Sequence, residues 1–161
     1  MITVGSVPYI NAYPLIYWLR LVPEQIQLVF APPARLAKML ENGELDAALV
    51  SSFHAFQTPG MRAVDGLCIG SNGPVQSVKV FSKVPFSQIE RLALDQDSLT
   101  SNHLAQILLE DAFGCSFVSD YRPPVLETML QEFDAGVLIG DPCMGTSPDG
   151  LQVLDLGEAW K

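Results

Sequence analysis

Two polar stretches of this chain hold the side chains best suited to handling a small acid. One is Ser6-Val7-Pro8-Tyr9-Ile10-Asn11 and the other is Asp97-Ser98-Leu99-Thr100-Ser101-Asn102. Both follow an apolar strand-like run and open a helical pattern. The free N–H groups and dipole of a helix start favour an anion there. Hydroxyl and amide groups add hydrogen bonds without adding charge. The chemistry they suit is gripping a carboxylate and assisting proton movement, not attack by a strong nucleophile. Elsewhere the reactive residue types are scattered. His54 and His103 are isolated, and no Ser-His-Asp set, clustered carboxylates or metal-ligand spacing occurs. Asp46 and Asp134 each precede an apolar strand and read as turn or cap residues. The expectation is a site with no metal and no cofactor.

The elements that must position these loops come twice. Residues 2–52 read as strand, polar loop, helix, strand, Pro-Pro, helix, Asp-Ala and strand, and residues 91–141 repeat that order. Leu36, Met39 and Leu40 mark a helix that stops at Asn42-Gly43. Leu104, Ile107, Leu108 and Ala112 stripe a longer helix that closes at Gly114. Ala47–Val50 and Gly136–Ile139 are short and wholly apolar, as strands covered on both faces are. Met61–Ile69, Val75–Phe81 and Leu151–Leu154 are three further expected strands. Alternating strands and helices predict α/β architecture with parallel sheets and right-handed crossovers, whose ligands sit beyond the carboxyl ends of the strands. Two similar lobes with a small-molecule cleft are expected, the chain crossing between them in the polar segment 82–90.

Composition narrows the function classes. The chain has 161 residues, 48% of them hydrophobic and 17% charged, so core material is ample and disorder is not expected. Its net charge is −9, with no Lys/Arg cluster, which argues against nucleic acid as a partner. Cys68, Cys115 and Cys143 are odd in number and lack CxxC spacing, so they read as buried free thiols in a reducing compartment. The chain starts directly with a strand, with no leader-like pattern, and no run is long enough to span a membrane. A cytoplasmic location and no membrane partner are expected.

Several segments together resemble a known family: VGSVPYINAYPL (4–15), LENGELDAALVSS (40–52), NGPVQSVKVFSK (72–83), LALDQDSLTSNHLAQILL (92–109), FDAGVLIGDP (133–142) and DLGEAW (155–160). They look like the menaquinone-biosynthesis family of the futalosine route, chorismate dehydratase in particular. VPYINAYPL with GPVQSV is the more specific pairing. The resemblance implies an α/β, two-lobed fold of the type II periplasmic-binding-protein kind, each lobe a mainly parallel sheet flanked by helices. It divides the chain as 1–84 for the first lobe, 85–155 for the second and 156–161 as the start of a return to the first. Family chains are longer, so a C-terminally shortened chain lacking that return is expected.

The implied activity is a carbon-oxygen lyase that dehydrates chorismate, a small anionic substrate, to 3-[(1-carboxyvinyl)oxy]benzoate. Asn11 and Ser77 are then the expected catalytic residues. Ser6, Tyr9, Ser52, Thr100, Ser101 and Asn102 are expected to bind substrate, and Asp141 is a weaker contact. Each has an ordinary reading too: Asn11, Thr100 and Ser101 as helix caps, Ser77 as a local hydrogen bonder, Tyr9 as core. Two departures stand out. Leu99 occupies a position where the family commonly has Arg, and Ser51 one where it often has Pro. The alternatives are a sibling enzyme that makes 1,4-dihydroxy-6-naphthoate, and a non-catalytic acid-binding module of the same fold.

Overall fold

The computed structural model describes residues 1–161. The chain forms two compact units, Met1–Gly70 and Ser71–Lys161, each with its own sheet.

In the first unit, β1 (Ile2–Ser6), β2 (Ile26–Phe30) and β3 (Ala47–Ala48) make a parallel sheet in the order β2-β1-β3. A 3-10 turn (Ile10–Ala12), helix α1 (Tyr13–Ile16) and a second 3-10 turn (Trp18–Leu21) lead from β1 to β2. Helix α2 (Pro33–Glu41) begins on Pro33, whose fixed φ suits a first helical position, and ends before Gly43 at φ 72°. Its Leu36 lies over Gly5 of β1. A Cβ on Gly5 would come within 2.7 Å of the side chains of Leu36 and Leu45, so only glycine allows helix and sheet to approach this closely. Helix α3 (Ser52–Gln57) follows β3. The opposite face of the sheet is less well covered. Register places Ile2, Val4, Ile26, Leu28 and Phe30 there, and Ile2 and Phe30 stay exposed.

In the second unit, β4 (Val78–Ser82), β5 (Arg91–Asp95), β6 (Val118–Arg122), β7 (Ala135–Ile139) and β8 (Gln152–Asp155) form a sheet in the order β6-β5-β7-β4-β8. Four strands run one way and β4 runs against them. Helix α4 (Thr100–Phe113) stops at Gly114, which adopts φ 67°. Helices α5 (Leu126–Glu132), α6 (Gly140–Gly145) and α7 (Leu156–Ala159) complete the unit. The period of two along the strands buries both faces. Val80, Leu92, Leu94 and Val137 pack with Ala105 and Leu109 of α4 and Leu156 of α7. Phe81, Ala93 and Leu138 pack with Leu126 and Met129 of α5.

The expected repeat is present as topology: β1, β2 and β3 recur as β5, β6 and β7 with the same strand order. One backbone device recurs with it. Asp46 donates its N–H to the Thr3 carbonyl at 2.9 Å, and its carboxylate accepts the Thr3 N–H at 2.7 Å. Asp134 does the same to Arg91, donating to its carbonyl at 2.9 Å and accepting its N–H at 2.9 Å. Each aspartate thus clasps the start of the first strand of its repeat, β1 or β5, just before the third, β3 or β7, begins.

Four expectations need correction. Residues 61–69 form no strand and are largely exposed. Gly66 at φ 78° puts a turn in the run, and no neighbouring strand pairs with it. Cys68 lies in that segment and is exposed, whereas Cys115 and Cys143 are buried and free as expected. The division falls at 70/71 rather than 84/85, because β4 pairs with β7 and β8 inside the second sheet. Residues 156–159 form α7, whose Leu156 enters the second unit's core, so they group with the second unit.

Replacing Asp46 or Asp134 with Ala removes the carboxylate half of the clasp while leaving its backbone half and the core intact. Each substitution should lower stability by about 1–2 kcal/mol, read as a shifted urea midpoint with unchanged slope. Unchanged midpoints for both variants would show that the clasps do not hold the strands.

Candidate functional site

The reversal of β4 decides what gathers at one edge of the second sheet. The other strands of that sheet end at this edge, whereas β4 starts there, so Ser77 stands beside the ends of β7 and β8. Val78 pairs with Ile139, and the Ser77 carbonyl accepts the Gly140 N–H at 2.8 Å. Asp95 ends β5 at the same edge and the loop to Thr100 leaves from it. Asp155 ends β8 there, paired with Lys79 of β4. The carboxyl edge of an open α/β sheet is where ligands bind, and the expected second-unit residues converge on it.

Asp95 and Asn102 build the loop over that edge, and both are completely buried. Asn102 donates to the carbonyls of Asp95 (2.8 Å) and Ser98 (2.7 Å) and accepts the Asp95 N–H at 3.2 Å. Its amide is occupied in shaping the loop. The Asp95 carboxylate accepts the Asp97 N–H at 2.9 Å and reaches across to the Ile139 N–H at 3.1 Å. Burial pushes its pKa up. The N–H donors of Asp97 and Ile139 pull the other way, and the balance lies above the ordinary carboxylate value.

Thr100 starts α4, and no side chain caps that helix. The Thr100 hydroxyl is buried with no hydrogen-bond partner in the protein. Ser101 is half-buried beside it. Neither acts as the N-cap that an ordinary structural reading requires; that place belongs to Leu99. An uncapped helix start with an unpartnered hydroxyl has donors left for an oxyanion.

Ser77 sits in a tightly held turn. Its N–H reaches the Val75 carbonyl at 2.7 Å, and Gln76 adopts φ 62°, a left-handed conformation unusual for a side chain of its kind. The Asp155 carboxylate accepts N–H groups from Val75 (3.0 Å), Gln76 (2.7 Å), Gly157 (3.0 Å) and Glu158 (3.2 Å). Burial raises its pKa, the four donors lower it by more, and it stays below the ordinary carboxylate value. The Cys143 thiol lies 3.7 Å from the Gln76 carbonyl, and burial pushes its pKa up to about 11.

The first unit places its expected residues at the equivalent edge. Ser6 ends β1 fully buried, its hydroxyl directed to the Val7 carbonyl at 3.2 Å. Tyr9 is half-buried against the core and precedes the 3-10 turn. Asn11 lies within that turn and is exposed. No side-chain bond caps the turn or α1, so its expected capping role is absent. Ser51, not Ser52, caps α3 by accepting the His54 N–H at 3.0 Å, and Ser52 is exposed. Asp141 is exposed in the first turn of α6. The sequence reading missed Asp95, Cys143 and Asp155. The one signal for Asp155 was its place at the head of DLGEAW.

Comparison with known proteins matches the sequence to a family. The sequence model described as menaquinone biosynthesis matches residues 2–161. The chain belongs to that menaquinone-biosynthesis family. A chorismate dehydratase of Thermus thermophilus is 34% identical over 138 residues, 85% of this chain and 49% of the relative. The chain therefore spans about half the length of this curated family relative. Protein AF1704 from Archaeoglobus fulgidus superposes with TM-score 0.67 at 22% identity, covering 99% of this chain and 61% of that one. The periplasmic aliphatic sulphonate binding protein SsuA from Escherichia coli gives TM-score 0.59 at 16% identity, covering 96% and 56%. These likenesses establish the type II periplasmic-binding-protein-like fold. No helix is long and apolar enough to cross a membrane.

Asp95→Asn sets an NH2 group against the N–H of either Asp97 or Ile139. The variant should lose about 1–3 kcal/mol of stability in urea unfolding despite shedding a buried charge. A midpoint at or above the parent's would show that the carboxylate does not tie the two strands.

Proposed function

We propose that this protein takes part in the dehydration of chorismate to 3-[(1-carboxyvinyl)oxy]benzoate. Membership of the menaquinone-biosynthesis family and the likeness to a chorismate dehydratase support that reading. The observation that carries it is the carboxyl edge of the second sheet. There a reversed strand brings Ser77 to the same edge from which, beyond the intervening β7, the loop to Thr100 leaves, and the Thr100 hydroxyl is buried without a partner. A dicarboxylate with a leaving hydroxyl is a ligand that such uncharged donors recognise.

In the reaction, a proton leaves the ring carbon bearing the enolpyruvyl ether, the neighbouring hydroxyl departs as water, and the ring becomes aromatic. Aromatisation drives the step, so the protein's task is orientation and help with two proton movements. The substrate's enolpyruvyl carboxylate serves as the base. Ser77 hydrogen-bonds the departing hydroxyl. Thr100 and Ser101 hold a carboxylate with the N–H groups at the start of α4. Asn102 keeps their loop in shape.

Purified protein incubated with chorismate should form the dehydrated product, identified by mass and by its benzoate absorbance. Ser77→Ala should lower kcat by about 100-fold or more with KM nearly unchanged. Chorismate bound and returned unchanged would replace the enzyme with a binding module. Thr100→Val should separate stability from binding. Losing an unpartnered buried hydroxyl should leave stability unchanged or raise it by up to about 1 kcal/mol, while KM rises. A destabilised variant with normal KM would assign Thr100 a structural role.

A further inference from the structure

The turn that presents Ser77 is held from outside its own strand. Its backbone polar groups are committed to partners. The N–H groups of Val75 and Gln76 go to the two oxygens of Asp155, the Gln76 carbonyl faces the Cys143 thiol, and the Ser77 carbonyl takes the Gly140 N–H. Gln76 is the one non-glycine residue at positive φ, a conformation costing on the order of 1–2 kcal/mol when unsupported. Support comes from a single carboxylate 79 residues further along.

That carboxylate has a second task. The oxygen that accepts from Val75 also accepts from Gly157 and Glu158, which makes Asp155 the N-cap of α7. Gly157 completes the joint. A Cβ there would stand 2.2 Å from the Val75 side chain and 2.5 Å from the Gly73 carbonyl oxygen. The helix start can press against the 73–76 turn only because residue 157 has no side chain. Since Phe81 and Val80 anchor the far part of β4 in the two core clusters, residues 73–77 are the part of this connection that Asp155 controls.

We propose that Asp155, with Gly157, is the positioning residue for Ser77: it fixes the left-handed Gln76 and so aims the Ser77 hydroxyl at the departing group. This rests on the dehydration reading for its kinetic consequence, and on the hydrogen bonds alone for the restraint itself.

Asp155→Asn separates the two tasks. The amide oxygen can keep the bonds to Val75, Gly157 and Glu158, so α7 stays capped, while the NH2 group meets the Gln76 N–H donor to donor. In amide hydrogen exchange, Gln76 should lose protection by about tenfold or more, with Gly157 and Glu158 unchanged. The Ser77 amide and Cβ resonances should shift. With chorismate, kcat should fall about 10- to 100-fold and KM should change little, because a misplaced group loses transition-state contact more than binding. In a Ser77→Ala background the same substitution should cost almost nothing. Gly157→Ala, which pushes the turn from the helix side, should reproduce the kinetic pattern.

Parent-like exchange at Gln76 together with unmoved Ser77 resonances would overturn the proposal. So would kinetic losses that multiply in the double variant. Parent protein that leaves chorismate untouched would sink the dehydration reading only. Exchange and Ser77 resonances would then still decide whether Asp155 sets the turn.

Discussion

Four backbone N–H groups converge on the carboxylate of Asp155, and the geometry of the second unit's edge depends on that convergence. A buried or half-buried N–H without an acceptor is costly, and a turn with a left-handed glutamine adds strain. One ionised side chain resolves both at once, because a carboxylate has room for several donors and binds each more strongly than a neutral acceptor does. Asp95 works in the same manner three strands away, joining the end of β5 to the end of β7. Asp95 and Asp155 therefore serve as acceptors for the backbone of this edge.

Much of the fold was legible because it depends on local pattern. The repeat, the Pro-Pro helix start, the Gly114 stop and the apolar strands after Asp46 and Asp134 all follow from side-chain period and backbone preference. The failures share a different cause. Strand β4 belongs to the second sheet through pairing with β7 and β8, and nothing in residues 78–82 announces those partners. Residues 61–69 have the composition of a strand but lack a neighbour, and a strand exists only through its ladder.

The site divides along the same line. Ser77 and the 97–102 loop were visible through motif and residue type. What each group does there was not. Asn102 looked like a ligand contact because it is polar and opens a helix, yet its donors match two carbonyls of its own loop. Thr100 looked like a cap and caps nothing. Asp95 and Asp155 were overlooked because an aspartate at a strand end is ordinary in sequence. Their importance lies in amides 44 and about 80 positions away.

The paired clasps at Asp46 and Asp134 carry one more implication. In both, the aspartate lies 43 residues beyond the N–H that it accepts, so each closes a chain loop of the same size at nearly the same entropic cost. Loop length therefore does not tell one strand pair from the other during folding, and the bonds differ chiefly in the Glu90 N–H that the Asp134 carboxylate also accepts at 3.1 Å. Shape in the apolar interior adds a further distinction. Gly5 receives the branched ends of Leu36 and Leu45, whereas Gly136 receives Met129 and Leu126. The halves of this duplicated architecture thus carry different side-chain reliefs over their glycines.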